Sequence, residues 1–129
     1  MKNLVPYLVF SGNCLEALTF YTDVFQGEII STTTFKNAPM PVPSEVEHRV
    51  FDSEFKAEGV HFKASDDLPN HMVTKGTNMS LFVSFSNKKE RKDVFDKLAK
   101  QGKVLFPLDD NFGMVKDQFN IQWMLVNGK

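Results

Sequence analysis

The sequence contains few of the residues that build metal centres and disulfide bonds. Its 129 residues include one cysteine, Cys14, and three histidines. A single cysteine excludes a disulfide bond within the chain and is consistent with a reducing compartment. The histidines, His48, His61 and His71, show neither HxH nor HxxxH spacing, so the sequence does not indicate a metal site built from neighbouring histidines.

Long apolar runs and a basic stripe are missing as well. No apolar run approaches the roughly 20 residues of a membrane span, and the opening MKNLVPYLVF is too short and too soon polar for a signal peptide. The 15 basic and 16 acidic residues are intermixed, and the one basic run, residues 88–92, is interrupted by Glu90. We therefore expect a cytoplasmic protein that binds neither nucleic acid nor membranes.

The motifs of several common enzyme classes are also absent. No glycine-rich loop follows a first parallel strand, and strands do not alternate with helices, so the usual methyl-donor site of a methyltransferase is not expected. The chain has no nucleophile elbow, no phosphate loop and no CxxC pair. Methyltransferase activity is therefore not part of the prediction.

Phenylalanine and methionine, by contrast, are abundant. The chain has 13 Phe and six Met, with 42% apolar and 24% charged residues, which is typical of a globular protein. Phenylalanines of this number most simply fill a core. A surplus of Phe and Met can also line an apolar cavity, and both interpretations stay open at this point.

Two segments of the chain carry the same helix signals. The first begins at Asn13, which can cap a helix, and Glu16 three residues later can close a capping box. Gly27 then supplies a left-handed residue that ends the helix. The segment from Asn87 to Gly102 repeats this pattern, and the two caps lie 74 residues apart (87 − 13).

Both segments also show apolar residues at three- and four-residue steps, as in an amphipathic helix. The predicted buried faces comprise Leu15, Leu18, Tyr21, Val24 and Phe25 in the first helix, and Val94, Phe95, Leu98 and the stem of Arg91 in the second.

Strand patterns surround each helix. Alternating or β-branched runs predict strands, and a segment with Pro39, Pro41 and Pro43 predicts a loop at residues 36–44. A turn is predicted near residues 53–58, and a turn-rich stretch, residues 66–75, forms the joint between the halves. The predicted strands cover residues 3–10, 28–35, 45–52 and 59–65 in the first half, and 76–85, 103–106, 114–117 and 121–126 in the second.

Each half therefore reads β-α-β-β-β. One helix covers one face of such a sheet and leaves the other bare, so two modules can pair their bare faces around a cleft. We predict an α+β fold of two βαβββ modules forming a curved, cleft-enclosing mixed sheet. It would be one domain over residues 1–129, with module one at about 1–68 and module two at about 74–129. An ordinary α+β sandwich whose polar strand faces meet water is the alternative.

The chain resembles the glyoxalase/bleomycin-resistance/dioxygenase superfamily, the vicinal oxygen chelate proteins. It is most similar to their PhnB-like branch, whose members are often labelled 3-demethylubiquinone methyltransferase-like. The resemblance runs from Pro6 to Trp123. It rests on Pro6-Tyr7-Leu8 with Phe10, Gly12-Asn13, Glu16-Ala17-Leu18, Phe20-Tyr21 with Phe25, Gly27-Glu28, His48, Ser65-Asp66 with Pro69, Gly102-Lys103-Val104, Pro107-Leu108, and Val115-Lys116-Asp117 with Phe119 and Trp123.

One departure from the branch pattern lies near the end. Members commonly have Asp-Lys/Arg-Phe-Gly, whereas this chain has Asp117-Gln118-Phe119-Asn120. Asparagine tolerates a left-handed turn almost as glycine does, so we expect the same turn here.

The resemblance implies a place for a metal ion in those members that use one. Their ligands come from the first and last strands of each module, at positions that correspond here to Pro6, Phe62 or Lys63, Asn78 and Met124. Proline and methionine are poor ligands for an oxygen- or nitrogen-preferring metal, and a lysine repels one. We therefore predict no metal and no cofactor. A divalent-metal enzyme with lyase, isomerase or ring-cleavage chemistry is the alternative.

The prediction that follows is a small-molecule-binding protein, with a homodimer implied by the resemblance. Its ligand would be apolar or aromatic and would contact residues expected to face the cleft: Phe10, His48, His61, Asn78, Ser80, Phe82 and Met124. Two of these, His48 and His61, can equally be strand histidines whose neighbours satisfy them. A structural module without a small-molecule site is a third hypothesis, and Cys14 is expected to be inert.

Overall fold

A computed structural model describes residues 2–68 and 71–128. Two residues of the predicted joint, Pro69 and Asn70, lie outside this range, as does the part of the resemblance that rests on Pro69. The elements are β1 (Tyr7–Phe10), α1 (Cys14–Phe25), β2 (Glu28–Thr34), β3 (Val50–Ala57), β4 (Val60–Asp66), β5 (Leu81–Phe85), α2 (Lys88–Ala99), β6 (Lys103–Phe106), β7 (Phe112–Lys116) and β8 (Gln122–Asn127).

These elements form two four-stranded mixed sheets with one helix each. The strand orders are β1-β4-β3-β2 and β5-β8-β7-β6, with β1 parallel to β4, β5 parallel to β8 and the other neighbours antiparallel. The chain divides into compact units at residues 1–74 and 75–129, called here the first and second modules. The predicted α+β class and the two βαβββ modules are confirmed.

The two α-helices are 12 residues long each. Across residues 2–68 and 71–128, neither they nor any other helix has the length and apolar character that a membrane span requires.

Helix α1 covers one face of the first sheet with aromatic packing. Phe55 on β3 and Phe62 on β4 are register partners whose rings stack at 4.8 Å, and the Tyr21 ring meets Phe62 edge-on at 5.5 Å. All three side chains are fully buried. Part of the phenylalanine surplus is thus core, since such pairs add to the burial of apolar area.

Helix α2 covers the second sheet in the same way. Its buried residues are Arg91, Val94, Phe95 and Leu98, as predicted. Below them lie Val115, Trp123 and Leu125, which are at most 1% exposed. In α1 the predicted face is wrong at one end, because Leu15 is 56% exposed while Cys14 and Ala17 are buried.

The two helices begin with different capping groups, although both are preceded by asparagine. In α2 the Asn87 side chain accepts a hydrogen bond from the Glu90 N–H at 2.9 Å, as predicted. In α1 the Asn13 side chain makes no capping bond to any described residue, so the predicted capping box is wrong. The first N–H, that of Cys14, instead donates to Asp66 Oδ1 at 2.8 Å. A carboxylate here is well matched to the positive end of the helix.

The helix ends also differ from the prediction. Gln26 and Gln101, with φ of 54° and 67°, take the left-handed conformation that was expected of Gly27. The glycines that follow are required by close packing instead. A Cβ on Gly27 would lie 2.7 Å from the Lys56 carbonyl oxygen, and one on Gly102 would clash with the backbone carbonyl of Lys116.

The predicted strand at residues 45–52 is wrong over its first half. Residues Ser44–Val46 form a 3-10 helix, His48 lies in an exposed turn, and β3 starts only at Val50. The turn folds back onto the residues that follow β2, where Lys36 N donates to the Glu47 carbonyl at 3.0 Å. Val46 and Val50 are both buried and lie four residues apart. This spacing also fits the two-residue period of a strand, which explains the wrong prediction.

The bounds of other strands also differ from the predicted ones. Strand β1 begins after Pro6, which cannot donate to a ladder. Strand β3 continues through residues 53–57, where a turn was predicted, because Phe55 pairs with Phe62 in the core. The predicted strand 76–85 forms only at Leu81–Phe85.

The turn between β7 and β8 contains Asn120, the residue that stands where the branch pattern has a glycine. Asn120 has φ of 69°, the left-handed conformation predicted for it. The buried Asp117 carboxylate accepts hydrogen bonds from the N–H groups of Phe119 (2.8 Å) and Ile121 (3.1 Å) and from Trp123 Nε1 (2.8 Å). This carboxylate fixes both the turn and the core tryptophan.

The two caps give a paired prediction. We expect Asn87→Ala to lower the free energy of unfolding by about 1 kcal/mol, because it removes a capping acceptor. Asn13→Ala should change it by less than about 0.5 kcal/mol, because Asp66 holds the first N–H of α1. Urea denaturation of both variants measures the difference, and equal losses would contradict the assignment of the caps.

Candidate functional site

Each sheet has a helix-covered face and an open face. Successive residues of a strand point to opposite sides, so the residues that alternate with the buried ones share the open face. The two open faces differ in chemistry, and each is built within its own module.

The open face of the first sheet, called the polar face, contains Tyr7, Asp52, Glu54, His61 and Lys63. Strand β4 lies between β1 and β3, and Lys63 is the register partner of both Tyr7 and Glu54. Lys63 Nζ donates to Asp52 Oδ2 at 3.1 Å, and the Tyr7 hydroxyl donates to Asp52 Oδ1 at 2.9 Å. One carboxylate thus holds an ammonium and a phenol together across three strands.

This arrangement moves two pKa values in opposite directions. Burial raises the pKa of the Tyr7 phenol above its ordinary value; a hydrogen bond with Ser65 opposes this shift, and Asp52 adds to it. Partial burial also raises the pKa of Asp52, but the hydrogen bonds from Lys63 and Tyr7 outweigh burial, and the net pKa lies below its ordinary value. The carboxylate therefore stays charged and the phenol stays protonated near neutral pH.

A second pair lies beside this group on the polar face. His61 Nε2 lies 2.7 Å from Glu54 Oε2. Both side chains are about one-third exposed, at 33% and 30%, so a molecule arriving from solvent can reach them. A carboxylate bonded to one ring nitrogen fixes the orientation of an imidazole and selects its tautomer.

The open face of the second sheet, called the apolar face, is lined by Phe82, Phe106, Phe112, Met114 and Met124. Phe82 is the partner of Met124, Met124 of Met114, and Met114 of Phe106, which makes one apolar row across all four strands. Phe82 is 65% exposed and Phe106 52%, and the Phe106 and Phe112 rings are 5.7 Å apart. Exposed aromatic and thioether groups in such a row are typical of a binding surface.

Polar groups border the apolar face where the chain enters β5. Gln122 Nε2 donates to the carbonyl oxygens of Thr77 (3.3 Å) and Met79 (3.1 Å) and to Ser80 Oγ (3.2 Å). A side chain, rather than a strand ladder, therefore holds this segment. Asn78 lies within it and is exposed.

The structure brings some of the predicted site residues together and separates others. Phe82 and Met124 belong to the row of the apolar face, and Ser80 lies at its border. On the first module, His61 lies on the polar face. Phe10 is 3% exposed on the helix-covered side with Leu8, and His48 lies in the exposed turn.

Sequence reasoning did not select Tyr7, Asp52, Glu54 or Lys63. Strict alternation along β3 was the available signal, and assigning residues 53–58 to a turn concealed it. Neither the pairing of β1 with β4 nor the long-range bonds can be obtained from periodicity alone.

The donor groups do not fit a metal ion of the family type. The carbonyl of Pro6 accepts the Lys63 N–H at 2.9 Å, Phe62 is buried in the core, and the Met124 thioether lies on the apolar face. The Lys63 ammonium group is paired with the Asp52 carboxylate at 3.1 Å, so this carboxylate already has a positively charged partner. Over residues 2–68 and 71–128, no three His, Cys, Asp or Glu side chains come close enough to hold an ion together.

Cys14 is fully buried at the start of α1. Burial raises the pKa of its thiol to about 12, and the nearby Asp66 charge contributes to the increase. A thiol of this kind is neither a nucleophile nor a metal ligand near neutral pH, which agrees with the inert role expected of it.

Comparison with known proteins gives a family match over most of the chain. The profile described as 3-demethylubiquinone-9 3-methyltransferase matches residues 2–126. A PhnB protein from Bacillus cereus has 32% sequence identity and a TM-score of 0.82, covering 98% of this chain and 100% of that one. Protein PA1353 from Pseudomonas aeruginosa has 27% identity and a TM-score of 0.89, covering 99% and 98%.

A more distant similarity extends to FosX, a fosfomycin resistance protein from Listeria monocytogenes. It has 11% identity and a TM-score of 0.69, covering 99% of this chain and 92% of that one. One FosX structure is described as complexed with Mn(II) and a sulfate ion. At this identity the similarity concerns the fold, which is the one expected for the vicinal oxygen chelate superfamily.

The lowered pKa of Asp52 predicts how the stability of the protein depends on pH. A group whose folded-state pKa is depressed contributes stability above its unfolded pKa, about 3.9, and loses it as pH falls through the folded value. Asp52→Asn should therefore be less stable than the natural protein at pH 7, and the difference should shrink below about pH 4.

Urea denaturation between pH 3 and pH 7 measures this difference. Asp93→Asn is the matched control, because Asp93 is exposed and its ion pair with Lys89, at 3.4 Å along α2, lies on the surface. A difference for Asp52→Asn that stays constant with pH would contradict the prediction.

Proposed function

The chain belongs to the 3-demethylubiquinone-9 3-methyltransferase family, the PhnB-like branch of the vicinal oxygen chelate superfamily, and we propose that it is a metal-free binding protein for a small apolar or aromatic molecule. The apolar face of the second module supports this proposal most directly. Its row of Phe82, Met124, Met114 and Phe106 is the observation on which the proposal depends.

The size of the row suits a small aromatic ligand. Neighbouring strands are about 4.8 Å apart, so four strands span about 14 Å, enough for two or three fused rings. Aromatic rings stack on Phe82 and Phe106, while Met114 and Met124 adapt to the outline of the ligand through flexible thioethers. Apolar burial drives such binding without any charged partner.

Polar groups at the border of the face would orient the ligand. Ser80 is held by Gln122, and Asn78 lies two residues before it on an exposed segment. A few fixed polar groups beside an apolar lining are the usual source of specificity in small-molecule sites.

The methyltransferase activity in the family's name is not part of the proposal. The described elements form two mixed sheets with one helix each, whereas a doubly wound methyl-donor site needs a parallel sheet with helices on both faces. The homodimer and the cytoplasmic location stay predictions from the sequence, and sedimentation of the purified protein tests the first.

Binding of a neutral naphthalene dye such as prodan tests the apolar face. We expect its fluorescence to rise with the natural protein, and Phe82→Ala or Met124→Ala to weaken binding by at least about tenfold. The physical reason is the loss of about 1.5–3 kcal/mol of apolar contact for such a side chain.

Met72→Ala is the matched control for Met124→Ala, because Met72 is 88% exposed, belongs to the first module and is not one of the residues that line the apolar face. It should bind the dye as the natural protein does. Circular dichroism melting shows whether each variant is folded. Equal binding by all folded variants would refute the assignment of the ligand to this face.

A metal titration tests the other part of the proposal. We expect Mn²⁺, Zn²⁺, Ni²⁺ and Fe²⁺ to leave the melting temperature of the chelator-treated protein unchanged. An ion that bound the folded state would stabilise it by about 2.7 kcal/mol at 100 times its dissociation constant. A saturable increase that is reversed by chelator would favour the metal-dependent alternative.

A further inference from the structure

We propose that the start of helix α2 is a binding site for the carboxylate group of a small molecule. This carboxylate takes the place at α2 that the Asp66 side chain takes at α1, and the buried guanidinium of Arg91 supplies the opposite charge. The site uses none of the residues that line the apolar face, so it goes beyond the function proposed above and does not depend on it.

A buried arginine with too few partners is the observation that points to a ligand. Arg91 lies in the first turn of α2 and is 5% exposed. Its Nη2 donates to the Asp109 carbonyl at 2.6 Å, whereas Nε and Nη1 are buried and have no hydrogen-bond partner among the described residues. An unpaired charged donor in a protein interior costs free energy, and such groups in native proteins usually have a bound water or ion as a partner.

The Arg91 side chain reaches toward the start of α2. Helical side chains lean toward the N-terminal end of their helix, and Asp109, which Arg91 contacts, belongs to the loop between β6 and β7. The same loop is bonded to the end of β8, where the Asn127 N–H donates to the Asn111 carbonyl at 3.1 Å. Asn127 is in turn the register partner of Phe85, the last strand residue before α2. The guanidinium therefore lies between this loop and the first turn of α2.

The first module shows which group fits at the start of a helix in this fold. There Asp66, at the end of β4, accepts the Cys14 N–H with one carboxylate oxygen and the Val50 N–H with the other. At the corresponding end of β8 the second module has Asn127, whose side chain donates to the Asp110 carbonyl at 3.4 Å. A neutral amide thus stands where the first module has a carboxylate.

The first turn of α2 also has backbone donors to offer. The Asn87 side chain accepts the Glu90 N–H, and no described residue accepts the N–H of Lys88 or Lys89. The helix dipole places partial positive charge on these groups, and the exposed Lys88 adds a full charge beside them. Two N–H groups and a guanidinium are a suitable donor set for the two oxygens of a carboxylate.

The charges that oppose an anion here are all on the surface. They are the carboxylates of Glu90, Asp109 and Asp110, each on an exposed residue. Asp109 is in addition held by its own loop, since its Oδ1 accepts two N–H groups there. Water and salt screen exposed charges, whereas the charge of Arg91 is buried and screened much less. We therefore expect the first turn of α2 to attract an anion.

A titration with acetate, followed in ¹H–¹⁵N correlation spectra, tests the proposal. Chloride keeps the ionic strength constant, so general screening does not change. We expect saturable shifts of the Lys88 and Lys89 amide signals and of the Arg91 Nε–H signal. The Cys14 amide at the start of α1 is a control within the same spectrum. It should not respond, because Asp66 already occupies that place.

Two variants change the site without removing an N–H group of the helix. Arg91→Met should weaken acetate binding by at least about tenfold, because it removes the buried charge. The fold should tolerate this change, since an apolar side chain of similar length leaves no unpaired donor. Asn127→Asp gives α2 the carboxylate of the first module. It should abolish the acetate response and raise the melting temperature.

Lys92→Met is the matched control for Arg91→Met. It removes a positive charge from the next residue of α2, where Lys92 is exposed and pairs with Asp96 at 2.7 Å, and it should change acetate binding by less than about twofold. Melting curves establish that each variant is folded, and either site variant decides alone if the other does not fold. The proposal is overturned if the first-turn signals of the natural protein do not saturate, as for a site that holds only water. Binding in Arg91→Met equal to that in Lys92→Met, or a full response in Asn127→Asp, would overturn it as well.

Discussion

One helix per sheet is the constraint on which this structure depends. A four-stranded sheet with a single helix can bury only one of its faces, so every second strand residue must be apolar and the others need not be. Phe55, Phe62, Trp123 and Leu125 meet this requirement and are at most 1% exposed. The strand residues that alternate with these buried ones do not have to be apolar, and they form the polar face and the apolar face.

The two modules therefore share the same arrangement of strands and helix but differ in the chemistry of their side chains. Both modules have the same strand order and the same parallel first-to-last pairing, and both have a left-handed glutamine before a closely packed glycine. Yet a carboxylate from the last strand, Asp66, holds the start of α1, whereas Asn87 caps α2 from its own first turn. The open faces diverge further, with five titratable side chains in the first module and phenylalanine and methionine in the second.

The sequence predicted what depends on short-range pattern. Both helices, the β-α-β-β-β sequence of elements in each module and the left-handed Asn120 follow from periodicity and local conformational preference. What it missed depends on contacts distant along the chain: Asp66 replaces Asn13 as a cap across 52 residues, and Tyr7 reaches Asp52 across 45. For the same reason Phe82 and Met124 could be named as lining from their residue type, while Glu54 and Lys63 could not.

The same constraint explains why family membership does not determine the reaction. A change on the helix-covered face leaves a cavity or overfills the core, whereas a change on an open face usually alters stability by less than about 0.5 kcal/mol. A fold shared with FosX at 11% identity can therefore persist while the residues of the open face change. In this chain the ammonium of Lys63 already neutralises Asp52. A divalent ion would have to displace that ammonium before it could use the carboxylate.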